Sequence, residues 1–203
     1  MERVGQASLE IGYPVFLRGD LTSGKHQYKK TCLVPSPTEL RSHIWALIEA
    51  SAITLDEVPR AFVVRKLLTL EAPFTAFQGL PIASARRYFI RDGHVECHHA
   101  YWPEDAIRFW DGQGPQGWRG QLARLNQELP NEITTLTDYA ECLGIALPGY
   151  WSVDFALDGV GRWWFIDAAK GEDSWHSHPP RLEMFARRRL GWDVWGNEVG
   201  GKP

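Results

Sequence analysis

Alternation of apolar and polar positions predicts two strands near the start of the chain, over 13–18 and 27–34. A Gly-rich connection joins them, so we expect a hairpin with a long loop. The sequence Ser36-Pro37-Thr38-Glu39 has the spacing of a capping box. It precedes four apolar residues that share one helical face, Leu40, Ile44, Leu47 and Ile48. A helix over about 38–51 is therefore predicted.

The rest of the pattern alternates strand pairs with helices. An apolar run over 61–70, interrupted only by Arg65 and Lys66, predicts a buried strand. Two further hairpins are expected, one with strands over 83–90 and 95–101 around Asp92-Gly93, and one with strands over 151–157 and 162–168. Helical patterns occupy most of 103–147, ending at Gly144, and 180–190 predicts a basic helix before a Gly-rich tail. This order indicates an α+β fold.

Length and composition restrict the class of protein. The 203 residues suffice for a single domain with two lobes around a cleft, predicted at about 13–70 and 71–195. Three widely spaced cysteines and the lack of an apolar leader favour a cytoplasmic protein with no membrane span. A net charge of -3 argues against binding to duplex nucleic acid. Any bound anion must therefore meet a local cluster of cations.

The third hairpin carries two aspartates. If its loop has two or four residues, Phe155 pairs with Trp164 and Val153 with Ile166, which makes one face apolar. Asp154 and Asp167 are then diagonal neighbours on the other face, about 7 to 8 Å apart at the backbone. A hard divalent cation such as Mg²⁺ relieves the repulsion of two such carboxylates. A three-residue loop would place the aspartates on opposite faces, and two solvated surface carboxylates are the alternative without metal.

The connection over 19–26 matches a Walker A loop except at its last position, where His26 replaces Ser or Thr. A Walker A loop must begin a helix, whereas 27–34 has the pattern of a strand. The segment therefore predicts a flap that covers a polyphosphate with backbone N–H groups, Lys25 and, at its base, Arg18. The alternative is a hairpin tip in which Thr22, Ser23 and Gly24 only form the turn.

Several segments, in this order, resemble the ATP-grasp superfamily, above all its small bacterial and phage R-two-K clade. They are Pro14 to Asp20 with Ser23 to His26, Phe62 to Leu67, Arg86 to Ile90, Trp151 to Phe155, and Phe165 to Asp167. A more distant similarity is to the eukaryotic cell-division-cycle chaperone that assembles a translation initiation factor. The resemblance implies two lobes with antiparallel sheets that enclose a nucleotide.

The resemblance also implies roles for individual residues. Arg18 contacts the α and β phosphates, and the flap over the phosphates is formed by Thr22, Ser23, Gly24, Lys25 and His26. The hinge at the adenine edge comprises Val64, Arg65, Lys66, Leu67 and Leu68, with Glu71 on the ribose. Arg87, or alternatively Arg86, reaches the γ phosphate, and Asp154 with Asp167 holds Mg²⁺. If these roles do not apply, the cations pair with surface acids.

Three departures from the family pattern affect these expectations. Ala169 stands where many relatives have a third metal ligand, which Glu172 or Asp173 would then replace. Ser84-Ala85 stands where many relatives have a Glu. The chain begins almost at the first strand of the pattern, so the usual N-terminal domain is expected to be absent or supplied by a separate protein.

The activity implied by the resemblance is ATP-dependent activation of a carboxylate as an acylphosphate, followed by attack of an amine, with Lys25 and Arg87 neutralising charge. The acceptors are unidentified, and a peptide or protein is among the candidates. Alternatives are a nucleotide-dependent assembly chaperone, a phosphotransferase with another acceptor, and a domain that no longer binds nucleotide.

Two other kinds of site are weaker predictions. A zinc site would draw on the histidines and cysteine His94, Cys97, His98, His99, His176 and His178, but consecutive strand residues point to opposite faces. A nucleophilic Cys32 or Cys142 lacks an activating neighbour in sequence. Residues 174–176 are candidates for the acceptor end of the cleft.

Overall fold

The structure is a computed structural model, and it describes residues 1–20, 22, 24–109 and 112–176. The helices are α1 (Glu2–Ile11), α2 (Tyr28–Thr31), α3 (Leu40–Leu55), α4 (Trp118–Leu125) and α5 (Pro130–Gly144). The strands are β1 (Val15–Gly19), β2 (Leu33–Val34), β3 (Phe62–Lys66), β4 (Phe74–Ala76), β5 (Leu80–Ile82), β6 (Ala85–Arg91), β7 (His94–Ala100), β8 (Tyr150–Leu157) and β9 (Trp163–Lys170). The predicted α+β class is confirmed.

The strands form three sheets, in the orders β2-β1-β3, β4-β5 and β7-β6-β8-β9. The chain divides into two compact units. Unit 1 comprises Met1–Arg86, Ala100–Pro130 and Asp154–Ile166, and unit 2 comprises Arg87–His99, Asn131–Val153 and the chain from Asp167 onward. The boundary of 70 between two predicted lobes stays a prediction.

The first sheet is built on the central strand β1. Val15 and Leu17 alternate inward with no exposed surface, and they pack with Leu47 of α3. Strand β1 pairs with β3 in antiparallel orientation over its whole length, with Val15 opposite Lys66 at one end and Gly19 opposite Phe62 at the other. The predicted strand over 61–70 is therefore present but shorter, and its residues Phe62 to Arg65 are only partly buried.

The predicted strand over 27–34 is wrong over most of its length. A 3₁₀ turn (Lys25–Gln27) and helix α2 replace it, and only Leu33 and Val34 pair with β1. Tyr28 and Thr31 are buried three residues apart, which is a helical spacing. The Thr31 hydroxyl donates to the carbonyls of Gly24 and Gln27, at 2.7 and 2.9 Å, so a β-branched residue stabilises the turn here.

Helix α3 begins later and ends later than predicted. Glu39 occupies the N-cap position and makes no side-chain capping bond, although the Ser36 hydroxyl donates to the Glu39 carboxylate at 3.0 Å. The side chains of Ser36 and Glu39 thus meet each other, and the predicted reciprocal capping of the helix is absent.

The predicted hairpin at Asp92-Gly93 is present, and its turn lies in unit 2. Both residues have positive φ, 49° and 87°, as a type I′ turn requires. The Asp92 carboxylate accepts a hydrogen bond from the Gly149 N–H at 2.9 Å. Helix α5 ends at Gly144 as predicted, and a Cβ there would lie only 2.8 Å from Gly93 Cα.

The third hairpin has a different turn from the predicted one. The Asp158 N–H donates to the Arg162 carbonyl at 2.9 Å, and the Gly161 N–H donates to the Asp158 carbonyl at 3.1 Å. Three residues therefore lie between the closing pair, and the rings of Phe155 and Phe165 are in contact, with centroids 6.2 Å apart. The predicted pairing of Phe155 with Trp164 is wrong, because Gly161 (φ 81°) forms a bulge that shifts the register by one residue.

Some elements carry no strong sequence signal, and some predictions cannot be compared with the structure. Helix α1 buries only Ser8, and β4 and β5 have three residues each, too few for a periodicity. Ser23 of the flap, His178, the predicted helix over 180–190 and the Gly-rich tail lie outside the described residues. No helix in the described part of the chain combines the length and apolar character needed to cross a membrane.

Candidate functional site: a cationic loop in unit 1 and a buried carboxylate

One face of the first sheet carries two arginines. Phe16 pairs with Arg65 and Arg18 with Val63, so Arg18 and Arg65 project from the same face as diagonal neighbours. Arg18 donates to the carbonyl of Gly19 at 3.1 Å, and Arg65 donates to the carbonyl of Ile166. Lys66 pairs with Val15, so it belongs to the other face, and its side chain is exposed.

The predicted phosphate loop starts directly after β1 and is fixed at both ends. At its start the Gly19 N–H donates to the Thr22 carbonyl at 3.1 Å, and the Asp20 N–H donates to the Ala61 carbonyl at 3.1 Å. At its end Gly24 is left-handed, with φ 64°, and an added Cβ would lie 2.6 Å from a methyl carbon of Leu47. Glycine is thus required at 24 for its backbone conformation and for lack of space.

Lys25 and His26 lie against aromatic side chains that the sequence analysis did not assign to the site. The Lys25 ammonium group donates to the Tyr101 hydroxyl, and it lies 4.4 Å from the centre of the Tyr101 ring and 5.3 Å from that of Trp102. The His26 ring meets Phe77 edge to face, with centroids 4.9 Å apart. The sequence carries no local signal for this contact, because Tyr101 follows Lys25 by 76 residues.

The cations of the loop affect the nearby titratable groups. Burial raises the pKa of Cys32 to about 11, although a hydrogen bond with Thr31 and the charges of Arg18 and Lys25 oppose that rise. The thiol is therefore neutral at pH 7, which argues against a nucleophilic Cys32. In the chain, Arg18 on β1 and Lys25 directly after Gly24 flank the same Gly-rich segment.

His26 titrates below its usual range. Partial burial of its ring lowers the pKa of His26, and the charges of Lys25 and Arg108 lower it further. His26 as a whole residue is nevertheless exposed to solvent. A loop in which two cations lower the pKa of a neighbouring histidine is a region of positive potential, which suits an anionic ligand.

The two predicted metal ligands belong to different units. Asp154, in unit 1, is 3% exposed, so the alternative of a solvated surface carboxylate is wrong for it. Asp167, in unit 2, is partly buried, and its carboxylate accepts a hydrogen bond from the N–H of Ala168 at 2.9 Å. The turn has three residues, which is the alternative that does not place the two aspartates on one face of the hairpin. Their joint binding of a metal therefore stays a prediction that rests on the family resemblance alone. The described residues contain no cluster of three or more His, Cys, Asp or Glu with metal-binding geometry.

The neighbouring arginines Arg86 and Arg87 differ in environment. Arg86 is 1% exposed and donates to the carbonyls of Ala85, Leu125 and Gln127, at 2.8 to 3.0 Å. These bonds tie β6 to the end of α4 within unit 1, which is a structural role. Arg87, in unit 2, is partly exposed and donates to the Trp175 carbonyl at 3.0 Å. Of the two, Arg87 is the better candidate for ligand contact.

The predicted hinge begins in β3 and continues past its end. Val64 pairs with Leu17, and β3 is an edge strand of its sheet, so one side of its backbone is not used by the ladder. Leu67 and Leu68 follow the strand and are partly buried. Glu71 lies at a cavity of about 370 Å³ in unit 1, lined also by Ser84, Gln121 and Arg124. The adenine and ribose contacts stay predictions.

Unit 2 gathers part of the predicted histidine and cysteine cluster. The Cys97 sulfur lies 3.1 Å from Nε2 of His176, and the rings of His99 and His176 have centroids 5.3 Å apart. His98 stacks on Tyr88 instead. Burial, with a smaller effect of Glu96, raises the pKa of Cys97.

Comparison with known proteins bears on the general fold. No protein-family model matches the chain, and no curated protein matches it significantly. Among solved structures it is similar to the biotin carboxylase domain of 2-oxoglutarate carboxylase from Hydrogenobacter thermophilus in complex with MgADP, ADP and bicarbonate, with 14% identity, a TM-score of 0.46, and coverage of 90% of this chain and 36% of that one.

It is also similar to a RimK domain ATP-grasp protein from Sphaerobacter thermophilus, with 14% identity, a TM-score of 0.41, and coverage of 85% of this chain and 49% of that one. A third similarity is to C-terminally truncated Cdc123 from Schizosaccharomyces pombe, with 12% identity, a TM-score of 0.47, and coverage of 100% and 75%. The chain thus spans about a third to a half of the first two proteins. These three similarities have identities of 14% or less and TM-scores below 0.5, so the roles of residues rest on the contacts of this chain itself.

Proposed function

We propose that this protein binds ATP together with Mg²⁺ and uses them in a ligase reaction of the ATP-grasp type. The observation that carries the proposal is the placement of two cations at one Gly-rich loop: Arg18 lies on β1 directly before the loop, and Lys25, in contact with Tyr101 and Trp102, lies near its end. Such a loop, with a cation near each end, suits a polyphosphate.

Asp154 supports the metal part of the proposal. It lies on strand β8 and is only 3% exposed. Carboxylate oxygens are the ligands that Mg²⁺ prefers, so Asp154 and Asp167 fit the ion by donor type. When bound, the metal would neutralise phosphate charge, while Arg18, Lys25 and Arg87 orient the phosphates.

A thermal-shift titration with ATP and MgCl₂ tests the binding claim. A ligand at 100 times its Kd stabilises the folded state by about 2.7 kcal/mol, so the parent should show a clear shift. Arg18→Ala and Asp154→Asn should lose most of that shift relative to their own midpoints without ligand. The exposed residues Arg41 and Asp138 provide controls, because Arg41→Ala and Asp138→Asn should retain it. No shift in the parent, or an equal shift in all four variants, contradicts the site.

Ligation is tested separately by turnover. ADP release that requires both a carboxylate and an amine identifies a ligase, and Arg87→Ala should slow it more than it weakens ATP binding. ATP binding with no release across an acceptor library would favour the alternative, a nucleotide-dependent protein that acts on a partner without ligation.

A further inference from the structure

The Lys25 ammonium group is held by two aromatic residues that follow it by 76 and 77 positions in the chain. It donates to the Tyr101 hydroxyl and lies over the Tyr101 ring at 4.4 Å and the Trp102 ring at 5.3 Å. All three residues belong to unit 1. The loop therefore has a cation fixed from outside the loop.

The aromatic support is itself fixed by the core of unit 1. Trp102 is 8% exposed, stacks on Phe77 at 5.9 Å, and accepts a hydrogen bond from Asn126 at its carbonyl at 2.6 Å. Tyr101 meets Trp102 edge to face at 4.7 Å, and its N–H donates to the Ala85 carbonyl at 3.0 Å. Neither ring can move far without disturbing these contacts.

The same support reaches the loop by a second route. The Tyr28 N–H donates to the Phe77 carbonyl at 3.3 Å, and His26 contacts the Phe77 ring. Phe77 and Gln78 both have positive φ, 48° and 61°, which is unusual for residues other than glycine. Strained backbone of this kind persists where surrounding contacts hold it, and it concentrates at functional sites.

We propose that Tyr101 and Trp102 are positioning residues that hold the Lys25 ammonium group in place to meet a phosphate of the bound nucleotide. The inference rests on the proposed function. A free lysine has four rotatable bonds, and ordering it on binding weakens the affinity. Tyr101 and Trp102 order the Lys25 side chain before the nucleotide binds, so the loss of side-chain entropy no longer weakens the affinity.

The test combines lysine labelling with nucleotide binding. In the ligand-free protein, brief acylation followed by mass spectrometry compares Lys25 with Lys29 and Lys30, which are exposed on α2 and serve as internal references. Tyr101→Leu should raise the relative labelling of Lys25 roughly fivefold, and Tyr101→Phe less, since the ring is kept. The matched substitutions Tyr139→Leu and Tyr139→Phe, at an exposed position of α5, should leave it unchanged.

The Kd for ATP in the presence of Mg²⁺ should increase more in Tyr101→Leu than in Tyr101→Phe. In a Lys25→Ala background, Tyr101→Leu should have almost no further effect, because a residue that acts through Lys25 cannot act without it. Equal labelling in parent and variants, or an equal loss of affinity with and without Lys25, overturns the positioning role. If the parent binds no ATP, the proposed function fails by itself, and the phosphate part of this inference fails with it.

Discussion

Two Gly-rich connections in unit 1 contrast in how their polar groups are satisfied. The turn between β8 and β9 is closed by its own Asp158, whose carboxylate accepts from the N–H groups of Val160 and Arg162 and from the side chains of Arg162 and Trp164. In the loop over 19–26, by contrast, the Lys25 cation contacts Tyr101 and the His26 ring contacts Phe77, and both partners are far away in sequence. A turn that satisfies itself is structural, whereas a loop that presents cations on outside supports is suited to a ligand.

The largest expected effect is on thermal stability, and it concerns the turn between β8 and β9. Asp158→Ala removes the acceptor of four hydrogen bonds at 2.8 to 3.0 Å, so the unfolding midpoint should fall by roughly 5 to 10 °C. Asp138→Ala, on the surface of α5, should have little effect. The thermal shift that ATP causes should remain in Asp158→Ala, and its loss would place this turn in the binding site.

The same turn has a predicted pH dependence. Burial acts to raise the pKa of Asp158, but the bonds from Trp164, Arg162 and Val160 outweigh it, so the net pKa lies below the usual range. A lowered folded pKa gives stability that is present above the unfolded value and is lost as pH falls towards the folded one. The difference in midpoint between parent and Asp158→Asn should therefore shrink below about pH 4. A constant difference from pH 7 to pH 3 contradicts this.

The loop should respond in binding more than in stability. Lys25→Ala removes a charge-assisted contact, so we expect the Kd for ATP to rise by about 10- to 100-fold with little change in midpoint. Lys29→Ala, on the exposed side of α2, is the matched control. Isothermal titration calorimetry in the presence of Mg²⁺ measures the Kd for ATP of both variants. Similar Kd values for the two variants would show that Lys25 has no special role.

A pair of glycines compares the two connections directly. Gly24 and Gly161 both have positive φ, 64° and 81°, so Ala at either position is strained. A Cβ at Gly24 would meet Leu47 at 2.6 Å, whereas one at Gly161 would meet nothing within 4 Å. Gly24→Ala should therefore lower the free energy of unfolding by about 1 kcal/mol more than Gly161→Ala, measured by urea denaturation. The reverse order would mean that the loop relaxes around the new methyl group.

The smallest expected effect concerns His26. Its pKa is lowered by partial burial and then by Lys25 and Arg108, so Lys25→Met should raise it toward 6.5 in an NMR titration. Because the folded pKa is below the unfolded one, the small contribution of His26 to stability is present above pH 6.5 and is lost as pH falls. Arg119→Met should leave the titration unchanged, and a change of equal size there would indicate a general charge effect.

The sequence alone determined those elements whose signals are local. Asp92-Gly93 defines a hairpin because both residues tolerate positive φ, and the apolar face of 40–48 defines a helix because its period matches 3.6. The motif order around Arg18, Arg65 and Asp154 was sufficient for the resemblance to ATP-grasp proteins. These inferences depend on neighbours a few residues apart, which a single sequence contains.

Only the tertiary structure decided what depends on distant partners. The segment after Gly24 is a helical turn because Thr31 bonds back to it and Tyr28 is buried, although its β-branched composition favoured a strand. The turn at Asp158 has three residues because the Asp158 carboxylate accepts four hydrogen bonds. The strand register therefore differs from the one that predicted Asp154 and Asp167 on the same face. Tyr101 and Trp102 contact Lys25 although they follow it by 76 and 77 residues. Arg86 donates hydrogen bonds to the carbonyls of Leu125 and Gln127, which follow it by some 40 residues. Periodicity has no information about such contacts, because their free energy comes from packing and hydrogen bonds that exist only once the chain has folded.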